Sequence, residues 1–338
     1  MTTKRTLPLM VDNRNLRLLV IGQFISAIGD QFYLIAIPWL ALQITGSAFT
    51  AGMLLAVASV PRAVFMLVGG AVTDRYSAKT LLIASNGVQA VIMAVLGFGV
   101  ITSFTHLWFL YVLSFLAGFI DAFGLPAFSA LLPQIVEDDE LESGNVYLQG
   151  ANMASGVIGP ALAGLLISLV GTHLFPQANL NGIGFAFLID ALTYFIGISF
   201  FWWIRIGDDL KASEVFDESL VTSIRHVIAF VREDIQLRYL FGLMMVLGLF
   251  LTGTIRVGFP LLADTNLSGG VRDFGYMSSA FGGGMLTGMI AIKLLPKPPQ
   301  AISGVVLLTV FAFLPGGLIL LGFAPPIGAS LVVIFVMG

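Results

Sequence analysis

The chain has 338 residues, of which 57% are hydrophobic and only 10% charged, with a mean hydropathy of +0.97 and a formal net charge of -3. Soluble domains carry about 25% charged residues, so this composition excludes an ordinary water-soluble globule. The small net charge and the lack of any Lys/Arg-rich run with interleaved aromatics exclude nucleic acid as a partner, and the absence of cysteine removes disulfides, thiolate metal sites and cysteine nucleophiles.

A helix needs about 20 apolar residues to cross the hydrocarbon, whereas barrel strands show alternating segments of about 10, which this sequence lacks. The spans are therefore helical, because lipid offers the backbone no hydrogen-bond partner. After a polar start with Lys4, Arg5, Arg14 and Arg17, the first span covers 16–44. It is too long for a signal-peptide core and has no small-residue cleavage site, so it is a retained span. Spans at 49–72, 80–101, 107–133, 144–170 and 182–204 follow, separated by short polar joints, among them the acidic run Glu137-Asp138-Asp139-Glu140.

The long polar stretch 205–238 places Val221, Ile224, Val227, Ile228 and Val231 at helical spacing against Arg225, His226, Arg232 and Glu233, the pattern of an amphipathic helix on the membrane surface. Further spans are predicted at 239–263, 274–295 and 301–323, with a tenth starting near 327. With the N-terminus cytoplasmic, thirteen of the sixteen Lys and Arg residues fall on the inner side; Arg272 lies outside, and Arg62 and Arg256 lie within spans. That bias sets the orientation.

Between the second and third spans lies Gly69-Gly70-Ala71-Val72-Thr73-Asp74-Arg75-Tyr76-Ser77-Ala78-Lys79. Six spans, a long connector, further spans and this G-x-x-x-D-R joint resemble the major facilitator superfamily. Gly70, Asp74, Arg75 and Lys79 match its loop motif, while Ser77 and Ala78 depart from it. The resemblance implies a cytoplasmic gate in which Gly70 lets helices approach and Asp74 and Arg75 form a charge lock; the plain alternative is a helix end obeying the orientation rule. The run from Asp121 to Pro133, then Asn145, then Gly159-Pro160-Ala161-Leu162-Ala163-Gly164, is similar to the transmembrane secretion effector branch that holds macrolide efflux pumps and the enterobactin exporter. Gly159, Pro160 and Gly164 resemble an antiporter element of the fifth helix, with Ala163 and Ser155 standing where glycines are common.

An ionised side chain at the bilayer centre costs at least about 2.5 kcal/mol and needs a partner, a cavity or a proton. Asp30 shares a helical face with Gln23, Ser26 and Tyr33 and is the leading proton-coupling candidate; its structural alternative is a buried acid pairing with Arg62 or capping a break beside Gly29. Asp121, with Ser114 and Gly118 on its side, is the second. Arg62 either neutralises a buried aspartate or binds an anionic substrate. Asp190 reads as structural, and Arg256 as either a cavity residue or a snorkelling end charge. Asn145, Gln149 and Asn152, at i, i+4 and i+7, face a substrate or bond neighbouring helices. Gln23 and Tyr33 complete the substrate-binding candidates. Gly282-Gly283-Gly284 with Gly288 forms a small-residue face for close helix contact. His106, His173 and His226 are scattered without metal-ligand spacing, and no nucleotide-binding or hydrolase motif is present.

These readings give an all-α polytopic membrane protein of the major facilitator fold. A six-helix N-terminal bundle (1–204) leads into a cytoplasmic linker (205–238) and an incomplete C-terminal bundle of about four helices (239–338). Family precedent calls for two more spans, including an eleventh that would face the Asp74 loop, so the chain is expected to be part of a twelve-span protein. The expected function is secondary active transport, as a proton-coupled exporter of a small amphipathic drug or metabolite, macrolide- or siderophore-like. Expected partners are the small molecule, protons and membrane lipids around a monomer in a bacterial-type plasma membrane, with no cofactor, metal or enzymatic chemistry. A lipid- or lysolipid-flipping protein and a transport-incompetent sensor or assembly partner of the same fold are the alternatives.

Overall fold

A computed structural model describes residues 9–171, 180–206, 253–294, 314–323 and 326–338, with isolated positions between 232 and 242. The expected amphipathic linker helix, His173 and His226 lie outside the described residues. A single helical turn, Leu9–Asp12, precedes α1 (Arg14–Thr45), α2 (Ala48–Arg75), α3 (Ala78–Ile101), α4 (Leu107–Leu131), α5 (Leu141–Leu169) and α6 (Asn181–Trp202). After the linker come α7 (Gly253–Thr265), α8 (Val271–Leu294), α9 (314–322) and α10 (Ile327–Met337). No strand occurs among the described residues. The first six of these helices are long and apolar enough to cross a membrane.

Local sequence chemistry fixes the ends. Asn13, Ser47 and Ser77 sit just before α1, α2 and α3, and their side-chain oxygens accept from the amides of Leu16 (3.0 Å), Thr50 (3.3 Å) and Thr80 (3.4 Å). This satisfies amides that no preceding helical turn can reach. Gly46 ends α1 in the left-handed region (φ 65°), and its amide donates to Leu42 O at 2.7 Å. The acidic run after α4 forms a 3₁₀ turn, Asp138–Glu140, ahead of α5.

α1 packs on α5 and α6, α3 on α4 and α6, and α2 on α4, while α8 lies along α5. Large apolar residues such as Phe49, Val91, Phe98 and Leu192 are exposed. In a membrane these are lipid contacts, since burial among lipid tails satisfies an apolar side chain as well as a core does.

Two apolar cores result. One, at the end where α1 stops and α2 starts, joins Phe32, Ile37, Trp39, Leu40, Ala51 and Leu54 to Phe259, Ala263, Val271, Phe274 and Met277. It contains residues from both sides of the linker. The other, at the end where α1 begins, gathers Leu16, Leu19, Leu82, Leu131, Leu148, Phe201 and Ile204, all from the chain before the linker.

Candidate functional site

The intramembrane acids cluster on α1, α4 and α6. Asp30, midway along α1, accepts a 2.6 Å hydrogen bond from the hydroxyl of Tyr194 on α6. One turn earlier on α6 is Asp190, completely buried, with neither carboxyl oxygen hydrogen-bonded. The nearby Thr193 hydroxyl donates instead to the Asp190 backbone carbonyl at 2.7 Å. Asp190 and Thr193 press directly on the backbone at Gly29, where a side chain would collide with both. The residue before Asp30 is therefore glycine because α6 leaves no room for a Cβ.

Asp121, on α4, accepts a 2.6 Å bond from Gln89 Nε2, and the same amide group reaches Ala117 O at 2.9 Å. Arg62, on α2 directly after Pro61, approaches the other Asp121 oxygen at 3.7 Å. The sequence left Arg62 free to pair with either acid. The structure separates the two, giving Arg62 to Asp121 and Tyr194 to Asp30. Both members of the ion pair are less than two-thirds buried by protein, with side chains 45% and 37% exposed. Asp30 nonetheless lies within electrostatic range of Asp121, Arg62 and Asp190, and Arg256 on α7 within range of Arg62. Three carboxyls and two guanidinium groups thus share one electrostatic neighbourhood inside the spans.

The substrate-binding candidates separate by position. Gln23 Nε2 donates to Asn152 Oδ1 at 3.2 Å, which ties α1 to α5. Asn145 turns back on its own helix, with Nδ2 donating to Leu141 O at 2.9 Å, and Gln149 is exposed on the same face of α5. Tyr33 makes a long 3.5 Å hydroxyl contact with buried Ser114. Arg256 is exposed on α7.

The joint between α2 and α3 departs from expectation in one respect. A Cβ at Gly70 would meet nothing within 4 Å, whereas one at Gly69 would collide with the Ala122 carbonyl of α4. The close helix approach assigned to Gly70 is therefore made by Gly69. Asp74 and Arg75 are exposed and form no ion pair among the described residues. Lys79 crosses to the end of α6, donating to Trp202 O (2.8 Å) and Ile204 O (2.7 Å).

The antiporter-like element of α5 divides between two neighbours. Gly159 abuts Gln31 on α1, while Gly164 and Pro160 O abut Gly275 on α8. Pro160 has no amide to offer the Gly156 carbonyl one turn back, and it is against this carbonyl that Gly282 packs. Ser279 Oγ accepts from the Ala161 amide at 2.9 Å. The small-residue face at Gly282 to Gly284 is thus a close-contact surface: Gly282 meets α5, and Gly284 meets the Phe335 carbonyl of α10.

Three contributors escaped the sequence reading: Gln89, Tyr194 and Gly69. The first two carry a usable signal, since a glutamine inside an apolar span and a tyrosine one turn from an intramembrane aspartate both need partners. Among the described residues, no group of His and carboxylates has a metal-binding arrangement.

Charged side chains held inside a bundle of apolar helices, with helices from both sides of the linker packed together, define a multi-pass membrane protein with a polar interior. The chain belongs to the Major Facilitator Superfamily, whose family model matches residues 19–338. It is 25% identical over 316 residues to macrolide efflux protein A of Streptococcus pyogenes, covering 93% of this chain and 74% of that protein. The Enterococcus faecalis protein of the same name is 25% identical over 292 residues, 86% of this chain and 85% of the relative. The multidrug efflux pump Tap of Mycolicibacterium fortuitum is 29% identical over 163 residues, 46% of this chain and 39% of that one. In fold the chain resembles tetrameric PepTSo2, with a TM-score of 0.65 at 13% identity over 96% of this chain and 80% of that chain. It also resembles the inward-open xylose transporter XylE of E. coli, with a TM-score of 0.52 at 13% identity over 96% and 78%.

Proposed function

We propose that the chain is the transport unit, or part of it, of a proton-coupled drug exporter working by alternating access in a bacterial plasma membrane, with its N-terminus cytoplasmic. The observation that carries this reading is a carboxyl, Asp30, held inside the apolar bundle and hydrogen-bonded, among the described residues, only by the neutral hydroxyl of Tyr194 at 2.6 Å. An intramembrane carboxyl with no cation of its own can take up a proton from one side and release it to the other, which couples a proton gradient to substrate movement.

Asp30 is the preferred proton carrier. Among the described residues its only side-chain hydrogen bond comes from a neutral hydroxyl, and it stands on α1, which touches the helices on both sides of the linker. Asp121, already held by Arg62 and Gln89, is the second carrier. Gln23, Tyr33, Asn145, Gln149, Asn152, Arg62 and Arg256 are the residues expected to line the substrate path. The names of the macrolide and multidrug efflux relatives support an amphipathic substrate of that class. The 1–204, 205–238 and 239–338 division is the corresponding proposal for the moving bodies.

The test is macrolide transport by the purified protein in proteoliposomes with an imposed pH gradient. The wild type should accumulate substrate only with the gradient, and Asp30→Asn should bind substrate yet lose gradient-driven movement. Unchanged accumulation by Asp30→Asn removes it from the mechanism, and a wild type that scrambles lipid without moving drug replaces the exporter with a lipid-flipping protein.

A further inference from the structure

A recess of about 740 Å³ opens at the cation-rich end, between the start of α1, the start of α3 and the chain leaving α6. Its wall holds three cations, Arg14, Lys79 and Arg205, together with Trp202 and Trp203, which are 68% and 63% exposed. Among the described residues that line it, none is a carboxylate. Among the described residues, neither Arg14 nor Arg205 is in an ion pair. Acidic Asp12, Glu137 and Glu140 line a neighbouring recess on the far side of Arg14 and Arg205.

The geometry is prepared in advance. Lys79 is pinned by the Trp202 and Ile204 carbonyls at 2.8 and 2.7 Å, which leaves the third proton of its ammonium group for another acceptor. The Arg205 backbone is clamped to Asn15, with Asn15 Nδ2 donating to Arg205 O at 2.6 Å and Arg205 N donating to Asn15 Oδ1 at 3.1 Å. Arg14 is the first residue of a 32-residue helix, whose amino end adds positive potential to the same wall. Two adjacent exposed tryptophans place the recess at headgroup depth, where their rings sit between hydrocarbon and water. The orientation rule puts this end at the cytoplasmic leaflet, where anionic lipids concentrate.

We propose that this recess binds the phosphate of an anionic phospholipid headgroup, with Arg14, Arg205 and the free Lys79 proton on the phosphate oxygens and the acyl chains descending past Trp202 and Trp203. A phosphodiester supplies the anionic oxygens that two guanidinium groups bind well. The three cations of this wall favour phosphatidylglycerol over zwitterionic phosphatidylcholine, although both carry the phosphate.

The experiment titrates delipidated full-length protein in detergent with dioctanoyl phosphatidylglycerol, dioctanoyl phosphatidylcholine or inorganic phosphate, reading tryptophan fluorescence and thermal midpoint. Phosphatidylglycerol should bind saturably and at least about ten-fold more tightly than phosphatidylcholine, and Arg14→Gln/Arg205→Gln should lose at least about ten-fold of that affinity, given roughly 1 kcal/mol for each basic residue near an anionic lipid surface. Asp12→Asn, in the neighbouring recess, should not weaken binding. Equal affinity for the two lipids in the wild type overturns the proposal without recourse to any variant. So does undiminished binding by a folded double variant. A full response to inorganic phosphate alone converts the recess into a free-phosphate site and overturns the lipid assignment.

Discussion

The two apolar cores differ in what they join. At the end where α1 stops, Trp39 stacks on Phe274 with ring centres 6.5 Å apart, Gln43 Nε2 donates to Asp264 at 2.9 Å, and Gly164 meets Gly275, so helices from before and after the linker form one packed body. At the cation-rich end, Leu16, Leu82, Leu131 and Phe201 pack, among the described residues, with other residues that precede the linker, while Leu67, Val68 and Val146 are exposed there. A membrane offers no hydrophobic driving force for helices to associate, so contact depends on close steric fit and specific hydrogen bonds. The glycine row of α5 and α8 supplies that fit at the end where α1 stops. Under the alternating-access proposal this glycine contact is a closed gate.

The largest effect is expected from filling that contact. A Cβ at Gly275 would collide with the Pro160 carbonyl and press on the Gly164 backbone. Gly275→Leu should therefore abolish drug transport in proteoliposomes while the protein still inserts and elutes as a single species, because overpacking costs about 1–3 kcal/mol and falls on the gate rather than on the six-helix core. Normal transport by Gly275→Leu would show that the two sides of the linker do not need this approach.

Next come deletions in each core. Trp39→Ala and Phe201→Ala each remove a large, nearly buried ring, and each should lower stability by about 3–5 kcal/mol. They should differ in accessibility. The chain has no cysteine, so a cysteine placed at Gln43 reports on the shared end alone. Trp39→Ala should speed its labelling by a membrane-impermeant maleimide, and Phe201→Ala should leave the rate unchanged. Equal labelling in the two variants would mean that the cores are not independent.

The sequence carried most of the fold and less of the site, for a physical reason. A run of about 20 apolar residues has one solution in lipid, so the expected span 107–133 and the observed α4 (Leu107–Leu131) nearly coincide. Caps are equally local: Asn13, Ser47 and Ser77 precede their helices in plain view. Helix phase is not. Successive residues are displaced by about 100° around an α-helix, so which of Gly69 and Gly70 meets α4 depends on how α2 is rotated, and that is set by long-range packing. The same holds for Asp30 and Asp121. Their presence in spans was legible, but assigning Tyr194 to one and Arg62 to the other required the distances between α1, α2, α4 and α6.

The ion pair itself is open to measurement. Arg62→Gln leaves Asp121 with Gln89 alone, and Asp121→Asn leaves Arg62 without its acid. Each single variant should lower the thermal midpoint more than half as much as the double variant does, with a coupling of about 0.5–3 kcal/mol. The lower end is expected, because both side chains are more than a third exposed and an accessible pair is screened. Strict additivity would place the two groups too far apart to interact in the resting state.

The smallest effects separate the polar stripe of α5. Asn152 joins α5 to α1 through Gln23, whereas Asn145 bonds, among the described residues, to Leu141 of its own helix and Gln149 stands exposed toward the cation-rich end. Asn152→Ala should cost about 0.6–1 kcal/mol, the usual worth of an interhelical hydrogen bond in a membrane protein. Asn145→Ala and Gln149→Ala should leave the midpoint within about 0.5 kcal/mol. If these two side chains face the substrate path, they should instead raise the half-saturating drug concentration without lowering the maximal rate, as the loss of binding common to ground and transition states does. Unchanged saturation in both variants would confine substrate contact on α5 to the levels of Asn152 and above, nearer the closed end, where the shared core begins.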